Sequence, residues 1–153
     1  MMEIKLICVG KIKEKYLQDG INEYLKRVSP YIKVNLVEVK EVNTNDINKN
    51  MCEEGALILN NITDDFVITL EINGNNLDSV AFSEYIFNHY TYQNKMLTIV
   101  IGGSDGLSDE VKARSNYRLS FGKMTYPHQL MRMILLEQLY RAAMIHYHHK
   151  YHK

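Results

Sequence analysis

The chain has 153 residues, of which 46% are hydrophobic, and its 18 basic residues balance its 18 acidic ones. This length and composition predict one folded domain over residues 1–153 with a substantial core, and only two prolines argue against a disordered chain. The zero net charge argues against a protein that binds nucleic acid over its whole surface. No leader peptide and no apolar run of ~18 residues is evident, so we expect a cytoplasmic protein without a membrane span.

Apolar, strand-like runs alternate with segments of helical periodicity along the chain. The pattern predicts strands at 3–9, 33–39, 66–72, 96–101 and 117–121, and helices at 14–28, 51–62, 79–92 and after 108 and 127. We expect a polar connection at 43–50, a turn at 73–76, caps at Ser79 and Ser108, and Pro127 in the first helical position. Strands separated by helices predict an α/β fold, in which a mainly parallel sheet has helices on both faces.

Three predicted strand ends could line a ligand site, at residues 70–71, 102–104 and 121–126, because ligands of open α/β sheets bind beyond the carboxyl ends of the strands. Gly102 and Gly103 would let the backbone approach a ligand closely, although the same pair also suits a tight strand-to-helix turn. The chain carries no dinucleotide, P-loop or nucleophile-elbow motif. Cys8 and Cys52 do not have metal-ligand spacing, and we expect Cys8 to be a small buried hydrophobe.

The last predicted helix combines two polar pairs with an apolar remainder. His128 and Arg132 are four residues apart and adjoin the loop at 123–126, so both a structural and a site role remain open. Glu137 and Arg141 have the same spacing, and for them we expect a surface or interface salt bridge. The other residues are apolar around most of the helix, which predicts burial that is completed by a second copy in a homodimer.

Charge is unevenly distributed along the chain. Most of the charged residues in 38–78 are acidic, whereas most of those in 123–153 are basic. The second segment also holds five of the six histidines. This basic end could meet a polyanion locally. The spacing of the histidines at 146, 148, 149 and 152 would alternatively suit zinc or nickel, but no cysteine or carboxylate lies close by in sequence, so we expect no metal.

Several longer motifs resemble those of one known family. They are IGGSDGL at 101–107, RSNYRLSFGKMTYPHQLMR at 114–132, EQLYRA at 137–142 and the terminal YHK, together with VGKIKEKY, EYLKR and VITLEINGN nearer the start. On these residues the chain closely resembles the RlmH family of SPOUT-class ribosomal RNA methyltransferases. The resemblance implies a C-terminal trefoil knot, an obligate homodimer and S-adenosylmethionine as cofactor. It further implies methylation at N3 of pseudouridine 1915 of 23S ribosomal RNA in the assembled ribosome.

The resemblance also implies roles for individual residues. Cofactor contacts would come from Leu70, Gly102, Phe121, Gly122, Lys123, Met124, Thr125 and Tyr126. His152 would assist loss of the N3 proton, Tyr151 would position the base, and Arg132 would hold a phosphate or the ring anion. The tail before Tyr151 differs from the glycine or proline usual in the family. An alternative is therefore a divergent paralogue that binds RNA and cofactor with an altered substrate or without catalysis.

Overall fold

The computed structural model describes all 153 residues except the side chain of Tyr90. Strands and helices alternate in the order β1 (Met2–Val9), α1 (Lys15–Val28), β2 (Ile32–Val39), α2 (Ile47–Leu59), β3 (Phe66–Asn76), α3 (Ser79–Gln93), β4 (Leu97–Ile101), α4 (Asp109–Arg114), β5 (Tyr117–Ser120) and α5 (His128–His146). The five strands form one sheet in the order β2-β1-β4-β3-β5, and every neighbouring pair is parallel. The predicted α/β architecture is confirmed.

Helices cover both faces of the sheet, because its central strands are apolar on both sides. On one face, α5 packs between α1 and α3, and its Leu135 and Leu139 join Leu6 and Ile99 in the larger core. On the other face, α2 and α4 cover a smaller core that includes Ile7, Val67, Val100, Ile58 and Val111. All carboxyl ends of the strands therefore meet at a single edge, where the loops that follow them come together.

The segment between β2 and β3 contains more helix than the sequence pattern predicts. Helix α2 begins at Ile47 rather than at residue 51, because the Asp46 side chain accepts a hydrogen bond from the Lys49 backbone and caps the first turn. Half of the expected polar connection at 43–50 is therefore helical. The helix also ends earlier than predicted, at Leu59 rather than at residue 62.

The predicted turn at 73–76 is wrong, because β3 continues through it to Asn76. The pairing of β3 with β5 shifts between Leu70 and Asn75, so both parts of β3 contact the short β5 strand. Gly74 makes this close approach possible, since a Cβ at this position would lie 2.8 Å from the Arg118 backbone. The carboxyl half of β3 thereby lies beside the end of β5 and pairs with it.

The starts of α3 and α5 differ from the predictions by one residue, and the start of α4 agrees with its prediction. Asp78 rather than Ser79 caps α3, since the Asp78 carboxylate accepts from the Ala81 backbone, and the Ser79 hydroxyl donates to Gln138 instead. Pro127 precedes α5 instead of opening it. The Ser108 cap of α4 is confirmed by the hydrogen bond from the Val111 backbone at 3.3 Å.

Candidate active site

A cavity of about 710 Å³ opens beyond the carboxyl ends of β3, β4 and β5. Its walls come from the end of the apolar part of β3, from the loop after β4 and from the segment that links β5 to α5. Seven of the eight predicted cofactor-binding residues line this cavity: Leu70, Gly102, Phe121, Gly122, Met124, Thr125 and Tyr126. Lys123 is exposed and is not among the lining residues. The structure therefore brings together residues that lie more than 50 positions apart.

Residues 102–106, which we name the glycine turn, form one wall of the cavity. The Gly106 backbone donates to the Gly103 carbonyl at 3.0 Å, and Gly106 has a φ of +88°. A Cβ at Gly102 would lie 3.0 Å from Leu107, and one at Gly103 would lie 2.9 Å from Glu54 Oε1. The predicted tight turn is therefore present, and it faces the cavity. The close approach of this backbone to a ligand stays a prediction.

Gly122 occupies a second wall of the cavity and has a φ of +106°, a conformation that side chains of L-residues rarely adopt. No atom lies within 4 Å of the position that a Cβ would take there. The backbone conformation, and not crowding, therefore requires glycine at this position.

Ionisable side chains enter the largely apolar cavity at a few points, namely Glu71, Asp105, Lys112 and His128. The Glu71 carboxylate accepts from the Thr69 hydroxyl at 2.6 Å and pairs with Arg118 at 3.5 Å. Sequence reasoning missed Asp105 and Lys112 as lining residues. The only sequence signal for Lys112 was its place on α4, four residues after the Ser108 cap.

The His128 side chain reaches the cavity with its Nε2 atom buried and, among the described residues, without a hydrogen-bond partner. Burial lowers the pKa of His128, and the nearby Arg132 cation lowers it further, whereas Glu41 acts in the opposite direction. The ring is therefore neutral near pH 7 and offers one donor and one acceptor.

Arg132 does not lie at the surface where a phosphate could reach it, so its predicted role needs correction. The residue is 1% exposed, its Nη1 pairs with Glu38 at 2.5 Å and its Nη2 donates to the Gly10 carbonyl at 3.1 Å. A buried guanidinium with its own carboxylate partner joins α5 to the ends of β1 and β2. Cys8 lies buried nearby, as predicted, and burial raises the pKa of its thiol to about 12.

The tail turns back along α5 after the helix ends. The reversal occurs at His148, which has a φ of +59°. Tyr151 then donates its hydroxyl to Glu137 Oε1 at 3.1 Å and packs its ring on Tyr140, with the ring centroids 4.7 Å apart. Desolvation and the hydrogen bond to the Glu137 carboxylate raise the pKa of Tyr151 to about 12. Tyr151 is therefore protonated and fixed against the helix.

The expected pair of Glu137 and Arg141 is present and forms the support for the tail. Arg141 Nη2 lies 2.5 Å from Glu137 Oε1, and Arg141 Nη1 lies 3.2 Å from His152 Nδ1. Because a guanidinium has donors only, His152 Nδ1 accepts in this contact, and the proton of a neutral His152 ring is on Nε2. This arrangement makes His152 Nε2 a hydrogen-bond donor.

A second cavity of about 560 Å³ lies beside the first, and His152 is among its lining residues. The two cavities share Leu119, Phe121 and Gly122, so the segment at the end of β5 forms a common wall. Tyr151 and His152 are thus brought together near this wall, whereas Arg132 is held elsewhere. The three predicted catalytic residues do not form one cluster within a single chain.

Three of the four tail histidines, His146, His149 and His152, contact aromatic rings or the Arg141 side chain. His146 stacks on Phe87 with centroids 3.8 Å apart, and His149 contacts the Tyr31 ring edge-on. In the part of the chain that the structure describes, no three histidine, cysteine or carboxylate side chains converge as metal ligands. Among the described helices, none is both long enough and apolar enough to cross a membrane.

Comparisons with known proteins agree over the full length of the chain. A family model described as "Predicted SPOUT methyltransferase" matches residues 2–152. The chain is 50% identical to the protein named "Ribosomal RNA large subunit methyltransferase H" of Carboxydothermus hydrogenoformans, over 99% of this chain and 100% of that protein. The protein of the same name from Clostridium tetani is also 50% identical, and that from Clostridium botulinum strain 657 is 49% identical, with the same coverage.

Among solved structures, the SpoU methyltransferase AviRb from Streptomyces viridochromogenes, in complex with AdoMet, aligns with a TM-score of 0.44 at 10% identity. The alignment covers 90% of this chain and 57% of that chain, and a likeness this distant does not bear on the site. The family model matches nearly the whole chain, and the relatives share about half of its residues. The chain therefore belongs to the SPOUT methyltransferase family and, within it, to the RlmH family.

Proposed function

We propose that this chain transfers a methyl group from S-adenosylmethionine to N3 of pseudouridine 1915 of 23S ribosomal RNA in the assembled ribosome. The observation that carries the proposal is the gathering of seven predicted cofactor-binding residues around one cavity at the carboxyl edge of the sheet. The relatives that match the whole chain are named as large-subunit ribosomal RNA methyltransferases, which supports the same class of substrate.

The chemistry of the cavity fits S-adenosylmethionine. Apolar side chains such as Leu70 and Phe121 offer walls for the adenine ring, and the backbone of the loop at 121–126 offers donors and acceptors for its edges. Glu71 and Lys112 provide charges of both signs for the polar parts of the molecule. The buried, unpartnered Nε2 of His128 indicates that the cavity is completed by a polar ligand.

The cofactor, when bound, supplies an electrophilic methyl group, so no nucleophile of the protein is needed. The N3 proton passes to solvent water, the methyl group takes its place on N3, and the cofactor leaves without its methyl group. The protein must therefore favour the ring that has lost its N3 proton. His152 suits this task, because its Nε2 proton can be donated to a carbonyl oxygen of the base and stabilise negative charge there. Tyr151 holds the tail in place through Glu137, and Arg132 acts from a distance by fixing the start of α5.

We further propose a cytoplasmic homodimer in which the C-terminal segment is knotted as in the family. Several apolar residues of α5 stay only partly buried within one chain: Leu130, Met133, Ile134, Tyr140 and Ile145. A second copy would cover them and bring its own tail near the first copy's cavity. Sedimentation should give about twice the 17.9 kDa chain mass at micromolar concentration, and a monomer under these conditions would contradict this part of the proposal.

The decisive experiment is the mapping of methylated nucleotides by mass spectrometry in ribosomal RNA incubated with the protein and S-adenosylmethionine. We expect one new methyl group at N3 of the named pseudouridine in assembled ribosomes. Calorimetry on the protein alone tests the cofactor separately, with Lys123→Ala as a control that should bind normally because Lys123 does not line the cavity. Methylation of a different nucleotide would support the proposed cofactor and contradict the proposed target.

A further inference from the structure

Helix α2 directs two buried polar side chains towards the carboxyl edge of the sheet. Asn50 and Glu54 are four residues apart, so they share one face of the helix, and both are almost completely buried. The next residue, Gly55, brings this helix unusually close to the start of α4, since a Cβ there would lie 2.3 Å from the Ser108 hydroxyl. Burial of polar groups in such tight packing costs free energy unless the groups are hydrogen-bonded.

The two side chains join two separate segments. Asn50 Nδ2 donates to the Thr44 carbonyl at 3.0 Å and to the Asp105 carboxylate at 3.1 Å. Glu54 Oε2 accepts from the Val42 backbone at 2.9 Å. The other oxygen, Oε1, packs against Gly103: a Cβ added to Gly103 would lie 2.9 Å from it. The helix thus connects the segment after β2 to the glycine turn that lines the cofactor cavity.

The surroundings of Glu54 disfavour a negative charge. The residue is 3% exposed, and its Oε1 has no hydrogen-bond partner among the described residues. Burial is the largest influence and raises the pKa of Glu54 from 4.5, and the single hydrogen bond from Val42 does not offset it. The charged groups that act on it are Glu41, from the segment after β2, and Asp105, from the glycine turn, and both are acidic.

We propose that Glu54 is a positioning residue for the cofactor site, and that its protonated form holds the glycine turn in the shape that binds S-adenosylmethionine. Ionisation of the buried Glu54 places a second negative charge beside Asp105, so the carboxylate draws in water and displaces the turn. Cofactor affinity therefore falls as the pH rises. This inference rests on the proposed function only in its choice of cofactor.

The test is calorimetry of S-adenosylmethionine binding to the full chain from about pH 5 to pH 9. Glu54→Gln keeps the shape of the neutral carboxyl and cannot ionise. We expect it to bind like the wild type at low pH. At higher pH it should exceed the wild type by up to about tenfold for each pH unit above the pKa of Glu54. His128 and the cofactor's own amino group titrate in both proteins and cancel in this ratio.

Two variants serve as matched comparisons. Glu53→Gln removes a neighbouring acid that is exposed and pairs only with Lys49 at 4.0 Å, so its profile should follow the wild type. Glu54→Ala leaves the Val42 amide without its acceptor and should weaken binding at every pH. If Glu54→Gln binds more weakly than the wild type at all pH values, or if the two profiles coincide, the proposal is overturned.

A direct measurement keeps the inference testable if Glu54→Gln fails to fold. Nuclear magnetic resonance of the wild type with carboxyl-labelled glutamate should give a Glu54 pKa above the ordinary value of about 4.3. Titration at or below that value overturns the proposal. Absence of cofactor binding at every pH contradicts the proposed function, and an ionised Glu54 in the same protein contradicts the positioning role as well. A neutral Glu54 in the same protein would show that only the choice of cofactor had failed.

Discussion

Two buried acids at opposite edges of the sheet differ in their hydrogen bonds, in their charged neighbours and in the direction of their pKa shifts. Asp65, at the amino edge, is 4% exposed and accepts from Lys5 at 2.9 Å, from the Thr98 hydroxyl at 2.5 Å and from the Thr63 backbone at 3.0 Å. Glu54, at the carboxyl edge, has one hydrogen bond and two acidic neighbours. Burial acts to raise the pKa of both acids, but the partners of Asp65 reverse this effect and lower its pKa.

The difference extends beyond these two side chains. At the amino edge, Arg114 donates to the carbonyls of Thr63 and Asp65, and these hydrogen bonds fix the connection before β3. At the carboxyl edge lie the unpartnered atoms of Glu54 and His128 and the positive-φ backbone of Gly122. Among the described residues, the amino edge also has an unpartnered buried atom, His89 Nδ1, on a ring that stacks on Phe66 at the start of β3. The carboxyl edge differs in that its unpartnered groups adjoin the cavity, where a polar ligand could satisfy them.

The largest effect should follow from truncation after Lys150, at the carboxyl edge. Loss of Tyr151 and His152 removes the group that favours the N3 anion together with its support on Glu137. We expect methyl transfer to fall by about 100- to 10,000-fold, with little change in thermal stability or cofactor affinity. A truncated protein with near-normal single-turnover rates on ribosomes would exclude the tail from the chemistry.

Asp65→Ala tests the other side of the comparison. It leaves the Lys5 ammonium partly buried without its carboxylate and should lower the free energy of unfolding by about 3–5 kcal/mol in urea titrations. The folded fraction should still bind S-adenosylmethionine with wild-type affinity, because Asp65 lies far from the cavity. Lys15→Ala, which breaks an exposed pair with Asp19, is the control and should cost less than about 1 kcal/mol. A cofactor-binding defect in the folded Asp65 variant would remove the distinction between the edges.

Gly122→Ala probes strain in the wall between the two cavities. A side chain at a φ of +106° costs about 1–2 kcal/mol, although nothing crowds the Cβ itself. We expect a small loss of stability and a loss of cofactor affinity of about fivefold to tenfold, measured by calorimetry. Stability lost without any change in affinity would mean that the segment does not contact the cofactor.

The smallest effect is the opposite pH dependence that the two acids give to the free energy of unfolding. The lowered pKa of Asp65 stabilises the folded state above 3.8, and this contribution disappears as the pH falls through the lowered value. The raised pKa of Glu54 acts the other way, since stability falls as the pH rises from 4.5 towards the folded-state value. Unfolding of Asp65→Asn and Glu54→Gln at several pH values, each against the wild type, should give differences of opposite slope.

Local patterns predicted those features that depend on neighbouring residues. The apolar runs of β1 and β4 and the Ser108 cap were readable because each is decided within a few residues. The carboxyl half of β3 was not, since it depends on pairing with β5 more than 40 residues later. Likewise Asp78 and Ser79 are both good caps, and the contact of Ser79 with Gln138 decides between them.

The candidate site shows the same limit. Motif resemblance identified seven of the residues that line the cavity, five of them within the contiguous segment at 121–126. It could not place Arg132, whose partner Glu38 is 94 positions away and whose burial depends on how α5 meets the ends of β1 and β2. Glu54 was missed for a similar reason, since an acid on an apparently ordinary helix gives no sequence signal that a glycine turn will be packed on top of it.

The buried pair of Arg132 and Glu38 has a consequence for cofactor exchange. It fastens the first turns of α5 to the sheet, so that the helix cannot swing outward to open the cavity. The neighbouring loop has no such fastening, and its Met124 is 77% exposed. For the proposed cofactor, we therefore expect entry and departure of the demethylated product to depend on the loop at 121–126, and turnover to follow the mobility of that loop.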